Sequence, residues 1–273
     1  VYDELLEWNR WWIKHRMTGG YLGWGSHCIK DGKDYTEGLL GAQLESGLDN
    51  SPMWDDATFN QSTFTMELAD VGLNSMYVMD CKALAEIAKV LGKKQDVKEL
   101  NARAKEFSKK VEKLWSEESG IFLNLHTDTG KPSHRISPTN FYPMLAGICT
   151  QKQAERMMKD YYFNPEYFYG EFVIPSISRN DPGFKDNEYW RGRIWAPLNF
   201  LVYIGMQKYD VNDARQDLIQ RSKALLMKSW KENGGVFENY NGETGQGDDV
   251  ARADSFYHWG ALLTFLELLE KKM

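Results

Sequence analysis

The chain has 273 residues, 33 basic against 39 acidic for a formal net charge of −6, and 42% hydrophobic residues. That balance gives no basic footprint for nucleic acid, no run approaches the ~20 apolar residues of a membrane helix, and no signal-type leader opens the chain. Aromatic residues make up 14%, with 10 Trp, many beside Gly, Asn or Asp; stacking on a neutral ligand fits this excess, so a soluble protein with a small-molecule or oligosaccharide partner is expected, with neither nucleic acid nor membrane.

Apolar residues recur at helical spacing from Leu5 to Trp12, which predicts helix over 2–12. A chain that begins without Met inside an amphipathic helix is expected to be a piece of a longer protein. The Gly-rich aromatic loop Gly19-Gly20-Tyr21-Leu22-Gly23-Trp24-Gly25-Ser26 runs into an irregular stretch to about Thr65, a length that usually signals function. Helix is predicted again over 66–91, closed by Gly92, and a charged amphipathic helix over 96–115. Turn residues at Ser119-Gly120 and Asp128-Thr129-Gly130 frame a small hairpin. Short helices at 140–149 and 151–161 precede a loop at 162–185 rich in Phe, Tyr, Gly and Pro. Two strong helices at 189–208 and 212–231 and a last one at 254–271 bring the reading to eight helices in one domain spanning 1–273. Helices joined by alternating short and long connections suit a ring of antiparallel pairs with its loops gathered at one end.

Cys28, Cys81 and Cys149 are odd in number and lack C-x-x-C spacing, so neither a disulfide framework nor a zinc site is expected. Cys81, within a helical run, reads as a small buried apolar side chain. No metal or cofactor constellation is found.

Two acidic segments stand out: Glu45-Ser46-Gly47-Leu48-Asp49-Asn50-Ser51-Pro52-Met53-Trp54-Asp55-Asp56 and Phe237-Glu238-Asn239-Tyr240-Asn241. Each sets a carboxylate among aromatic, Gly or Pro residues in a loop. Hydrolysis of a glycosidic bond with inversion requires a protonated carboxyl on the leaving oxygen and an ionised one that activates water across the ring; Asp49 is the expected acid and Glu238 the expected base. Leu48, Pro52, Met53 and Trp54 supply desolvation and Glu45 a like charge, both of which raise an acid's pKa. Taken alone, Asp49 is an ordinary turn residue and Glu238 an ordinary exposed Glu; their surroundings separate them from that background. A third cluster is Glu188-Tyr189-Trp190-Arg191-Gly192-Arg193-Ile194-Trp195. Arg191 and Arg193, two apart, cannot share a helix face, and Trp190 with Arg191 forms a stacking and hydrogen-bonding pair for a sugar, against a plainer reading as core Trp and a structural salt bridge. His258-Trp259-Gly260 either lines the same pocket or opens the final helix with a buried His. Asp248 and Asp249 read as solvated loop charges.

Together with Trp8-Asn9-Arg10-Trp11-Trp12, Asp80, Leu114-Trp115, Asp181-Pro182 and Phe256-Tyr257, these motifs resemble glycoside hydrolase family 63, which holds processing α-glucosidase I, bacterial α-glucosidases and the mannosylglycerate and glucosylglycerate hydrolases. The resemblance implies an all-α (α/α)6 toroid, an inverting mechanism, and acid and base at Asp49 and Glu238. Substrate contacts are expected from Trp24, Glu45, Asn50, Trp54, Tyr189, Trp190, Arg191, Trp195, Tyr240, His258 and Trp259. The family's ring has twelve helices with the acid after the fifth, whereas here the acid follows the first helix read. The eight helices then correspond to helices five to twelve, the C-terminal two-thirds of the ring, with a companion N-terminal fragment or segment outside this chain. An inverting glycoside hydrolase acting on α-linked glucosides or mannosides is the leading expectation; a non-catalytic carbohydrate-binding or regulatory fragment and a trehalase-like glucosidase are the alternatives.

Overall fold

Helix accounts for nearly all the regular structure in this computed structural model, which describes residues 1–26 and 38–271; Cys28 lies outside them. The described residues form nine α-helices: α1 (Tyr2–His15), α2 (Gly38–Ser46), α3 (Val71–Val90), α4 (Lys94–Glu112), α5 (Tyr142–Leu145), α6 (Gln151–Met157), α7 (Ala196–Met206), α8 (Asn212–Asn233) and α9 (Leu262–Glu270). The few strands are two residues long, so the fold is all-α. No helix among the described residues is long and apolar enough to cross a membrane. Two compact units are present, one of Val1–Asp49, Trp54–Glu117 and Phe122–His134, the other of Asn50–Met53, Glu118–Ile121 and Arg135–Met273.

In the first unit α1 packs on α3 through Leu6, Leu84, Ala85 and Ala88, with Leu100 of α4 completing the cluster. Asn9 of α1 is fully buried: it donates to Asp80 Oδ2 at 2.7 Å and Cys81 Sγ at 3.2 Å and accepts from Arg103 at 2.8 Å. Helix α3 starts five residues later than its apolar spacing predicts, because Thr65 and Met66 pair with Asn60 and Phe59, and Leu68 and Ala69 with His126 and Leu125. Asp70 then caps it, accepting from Gly72 N at 2.8 Å. Helix α2 falls inside the stretch read as irregular; its apolar run Leu39-Leu40 with Ala42 and Leu44 is short and bounded by Gly38 and Gly47.

The second unit is organised round Phe172, Ile194, Ala196, Leu225, Leu226, Phe237, Tyr240 and Leu263, which join α7, α8 and α9 to the loops before and after them. Thr150 and Gln153 form a capping box at α6. Helix α7 begins at Ala196 rather than 189. Ahead of it, Glu188 bridges back to Arg191, Ile194 pairs with both Pro175 and Tyr240, and Gly192 takes a φ of 95°. A Cβ at Gly192 would lie 2.3 Å from the Phe184 carbonyl oxygen, so the sharp turn here admits no side chain. Helix α9 is likewise shorter than read, entered through the 3-10 turn His258–Ala261.

Candidate active site

Asp49 ends the first unit's opening segment. After α2 the chain turns at Gly47, φ 68°, whose N–H donates to Leu44 O at 3.2 Å; the Trp54 indole then donates to Leu48 O at 2.9 Å and ties the turn to a fully buried ring. Half-buried in this turn, the Asp49 carboxyl is raised above its ordinary value by desolvation, against a smaller opposing effect of its own backbone N–H. The like charge expected from Glu45 is not a cause. Glu45 accepts from Arg16 Nε with both oxygens, at 2.9 and 2.8 Å, and from Gly25 N at 2.5 Å, so it ties the end of α1 to the Gly-rich loop with its charge matched. Trp24, next to Gly25, is buried and donates to Asp70 Oδ2 at 2.7 Å. Asp70 is wholly enclosed and its carboxyl is pushed up by burial, against the hydrogen bonds of Trp24, Gly72 and Leu73.

Glu238 lies in the second unit, 8% exposed. Its backbone is fixed on both sides: its N–H donates to Asp254 O at 2.8 Å and its carbonyl accepts from the Trp259 indole at 3.0 Å. One residue before, Phe237 N donates to the hydroxyl of buried Tyr240 at 2.9 Å, and Tyr240 exchanges backbone hydrogen bonds of 3.0 and 2.7 Å with Ile194. Trp190 stacks face to face on Trp195, 3.5 Å between centroids, with Tyr189 edge-on to both and Trp259 edge-on to Trp195. Trp195 is fully buried and donates to Tyr189 O at 2.9 Å. Trp190 is 6% exposed, and its indole N–H has no hydrogen-bond partner among the described residues. Asn50 ties into this cluster: its amide donates to Glu188 Oε2 at 2.9 Å and accepts from Trp190 N at 2.9 Å, and its carbonyl accepts from Arg191 at 3.2 Å.

Asn50, Tyr189, Trp190, Arg191, Trp195, Tyr240, Trp259 and Glu238 thus form one connected set within the second unit. Trp24, Glu45, Trp54 and Asp49 belong to the first. Trp54 and Trp195 have no open ring face, which makes them packing partners of the loops. His258 is exposed, not buried, and with Trp259, Ala261, Leu262 and Phe265 lines an apolar cavity of about 400 Å³. Arg191 and Arg193 do part as their spacing requires: Arg191 binds Asp186 at 2.6 Å, and Arg193 is fully buried. Asp249, read as a solvated charge, is instead the ion-pair partner of Arg193 at 2.8 Å. Sequence reasoning missed the partners of the candidate residues, Arg16 and Asp70 in the first unit and Asn239 and Asp249 in the second; for Asp70 the signal was present, an Asp immediately before an apolar helical run. Among the described residues no group of three or more His, Cys, Asp or Glu side chains is arranged to hold a metal ion.

The fold is all-α, and both candidate carboxylates lie in loops tied to tryptophan indoles. A family model described as "Mannosylglycerate hydrolase MGH1-like glycoside hydrolase domain" matches residues 1–259, and the chain belongs to that family, within glycoside hydrolase family 63. Mannosylglycerate hydrolase of Thermus thermophilus is 26% identical over 75% of this chain and 46% of its own length; that of Rubrobacter radiotolerans is 23% identical over 99% of this chain and 67% of its own. The crystal structure of the GH63 mannosylglycerate hydrolase from Thermus thermophilus in complex with glucose superposes with a TM-score of 0.76 at 23% identity, covering 98% of this chain and 68% of that one. The fold is therefore shared along almost the whole chain, which spans about half to two thirds of the length of the curated relatives it matches.

Proposed function

We propose that the protein containing this chain is an inverting glycoside hydrolase acting on α-linked mannosides or glucosides of a small polar acid such as glycerate. Asp49 acts as general acid and Glu238 as general base, and the two units are parts of one catalytic domain. The observation that carries the reading is the environment of Asp49: desolvation in a turn anchored by Trp54 favours the protonated carboxyl that a general acid must present. The mannosylglycerate hydrolases among the relatives supply the substrate class. Since the chain spans only part of those relatives, the reading assigns the activity to the full-length protein, with the remainder of an incomplete ring coming from a companion N-terminal segment.

In this mechanism Asp49 gives its proton to the glycosidic oxygen as the C1–O bond breaks. Glu238 takes a proton from a water whose oxygen bonds to C1 on the opposite face, which inverts the anomeric carbon and requires the carboxyls to stand about 6.5–9.5 Å apart. The stacked Trp190, its indole N–H unpartnered, and the Tyr189 ring beside it are the proposed sugar contacts, joined by Arg191, Trp259 and His258; Asn50 orients that cluster, and Trp24, Glu45, Trp54, Trp195 and the fully buried Tyr240 support the loops.

The test is hydrolysis by the full-length protein of mannosylglycerate, glucosylglycerate and α,α-trehalose, followed by release of reducing sugar. Asp49→Asn and Glu238→Gln are each expected to lower kcat by about 10²–10⁴-fold while leaving the folded state intact. Near-normal turnover by either variant removes that residue from the mechanism. Calorimetric sugar binding by the unmodified protein with no turnover of any substrate replaces the enzyme reading with a binding one.

A further inference from the structure

We propose that Asn239 is a positioning residue for the Glu238 carboxylate, its amide locked in one orientation by buried Arg193, whose charge is balanced by Asp249. The inference rests on Glu238 being the general base and adds how that base is aimed.

The locking follows from which atoms donate. Arginine carries only donors, and Arg193 Nε–H is directed at Asn239 Oδ1, so the amide oxygen must face the guanidinium. On the other side Asn239 Nδ2 donates to Arg252 O at 3.0 Å and stands 3.5 Å from Glu238 Oε2. A carbonyl and a carboxylate offer acceptors alone, so a flipped amide would set oxygen against oxygen there and nitrogen against nitrogen at Arg193. Both sides specify one orientation, and both Asn239 and Arg193 are fully buried.

Arg193 is itself held on every branch. It donates to Asn187 O at 3.2 Å, Gln246 O at 3.3 Å and Asp249 Oδ1 at 2.8 Å, and the second Asp249 oxygen accepts from Asn241 at 2.7 Å. The chain from Asp249 through Arg193 to Asn239 therefore joins the Glu188–Trp195 turn to the loop that carries Glu238. The Glu238 backbone is already fixed by Asp254 O and the Trp259 indole, and Asn239 is placed to restrict the side-chain rotamer as well. A base that must direct one oxygen at a water loses on the order of 10²-fold for a displacement of about 1 Å.

Asn239→Asp in the full-length protein tests this directly. The variant keeps the volume and the Arg193 contact but replaces the N–H facing Glu238 by an oxygen. The new charge beside Glu238 by itself moves the acid limb of the kcat–pH profile to higher pH; a merely structural Asn239, needed only to satisfy Arg193, would show that shift and leave the kcat plateau above it unchanged. Positioning predicts that kcat on its high-pH plateau is lowered by about 10-fold or more, with KM within about twofold; the melting temperature falls as well, because the new oxygen faces Arg252 O and Glu238 Oε2. Should Asn239→Asp not fold, Asp249→Asn, which loosens Arg193 without touching Glu238, is expected to give the same split between kcat and KM. An unchanged kcat plateau in the folded variant overturns the proposal. If Glu238→Gln retains turnover, the base assignment has failed; if Glu238→Gln is inactive while Asn239→Asp is normal, only the positioning has.

Discussion

Asp49 and Asp249 are both aspartates in loops, yet their surroundings push them in opposite directions. Asp49 is raised by desolvation. The folded state therefore binds its proton more tightly than the unfolded chain does, and the ionised carboxyl costs stability as pH rises from the ordinary aspartate value near 3.8 through the folded value. Asparagine at this position is a neutral stand-in, so Asp49→Asn, while inactive, is expected to melt at the same or a higher temperature at pH 7 and to match the unmodified protein near pH 3. A clear fall in melting temperature at pH 7 would make Asp49 a structural anchor. For Asp249, burial pulls upward but the hydrogen bonds of Arg193 and Asn241, with the Arg193 charge, outweigh it and leave the carboxyl below its ordinary value. Its contribution is present above the unfolded pKa and is lost as pH falls through the folded one. Asp249→Asn is expected to cost about 1.5–3 kcal/mol at neutral pH, and that cost should vanish in strong acid.

At the scale of elements, the turn at Gly192 decides how the tryptophan cluster and the start of α7 are arranged. Gly192→Ala forces a side chain into a φ of 95° with its Cβ on the Phe184 carbonyl, and is expected to lower stability by about 2–3 kcal/mol in denaturant melts; a neutral effect would mean that the 188–195 turn can be rebuilt at little cost. The same turn marks the limit of what was legible beforehand. Apolar spacing located α1, α3, α4 and α8 because each is long, but it ran through residues 189–195, where Arg191 turns back on Glu188 and Ile194 pairs with Pro175 and Tyr240 instead. It also passed over α2, too short to be separated from its Gly-bounded loop. The loops of Asp49 and Glu238 stood out because their unusual residues are consecutive. The Arg193–Asp249 pair did not, because its partners lie 56 residues apart and nothing in either local pattern announces the other.

At the scale of the whole molecule, apolar side chains remain in solvent in both units, Leu5 and Trp8 on α1 and Phe265 and Leu268 on α9. Contiguous exposed apolar surface on a helix normally marks a face that something covers. The longer relatives are consistent with further helices of the proposed ring doing so, and any assay of mechanism belongs to the full-length protein for that reason. Two carboxylates acting from opposite faces of one sugar are the central requirement of the proposed mechanism. Proton NMR of the full-length protein turning over an α-linked substrate tests this most directly: inversion predicts that the β-anomer of the released sugar appears first and mutarotates afterwards. Initial release of the α-anomer would contradict the assignment of Glu238 as a base acting through water.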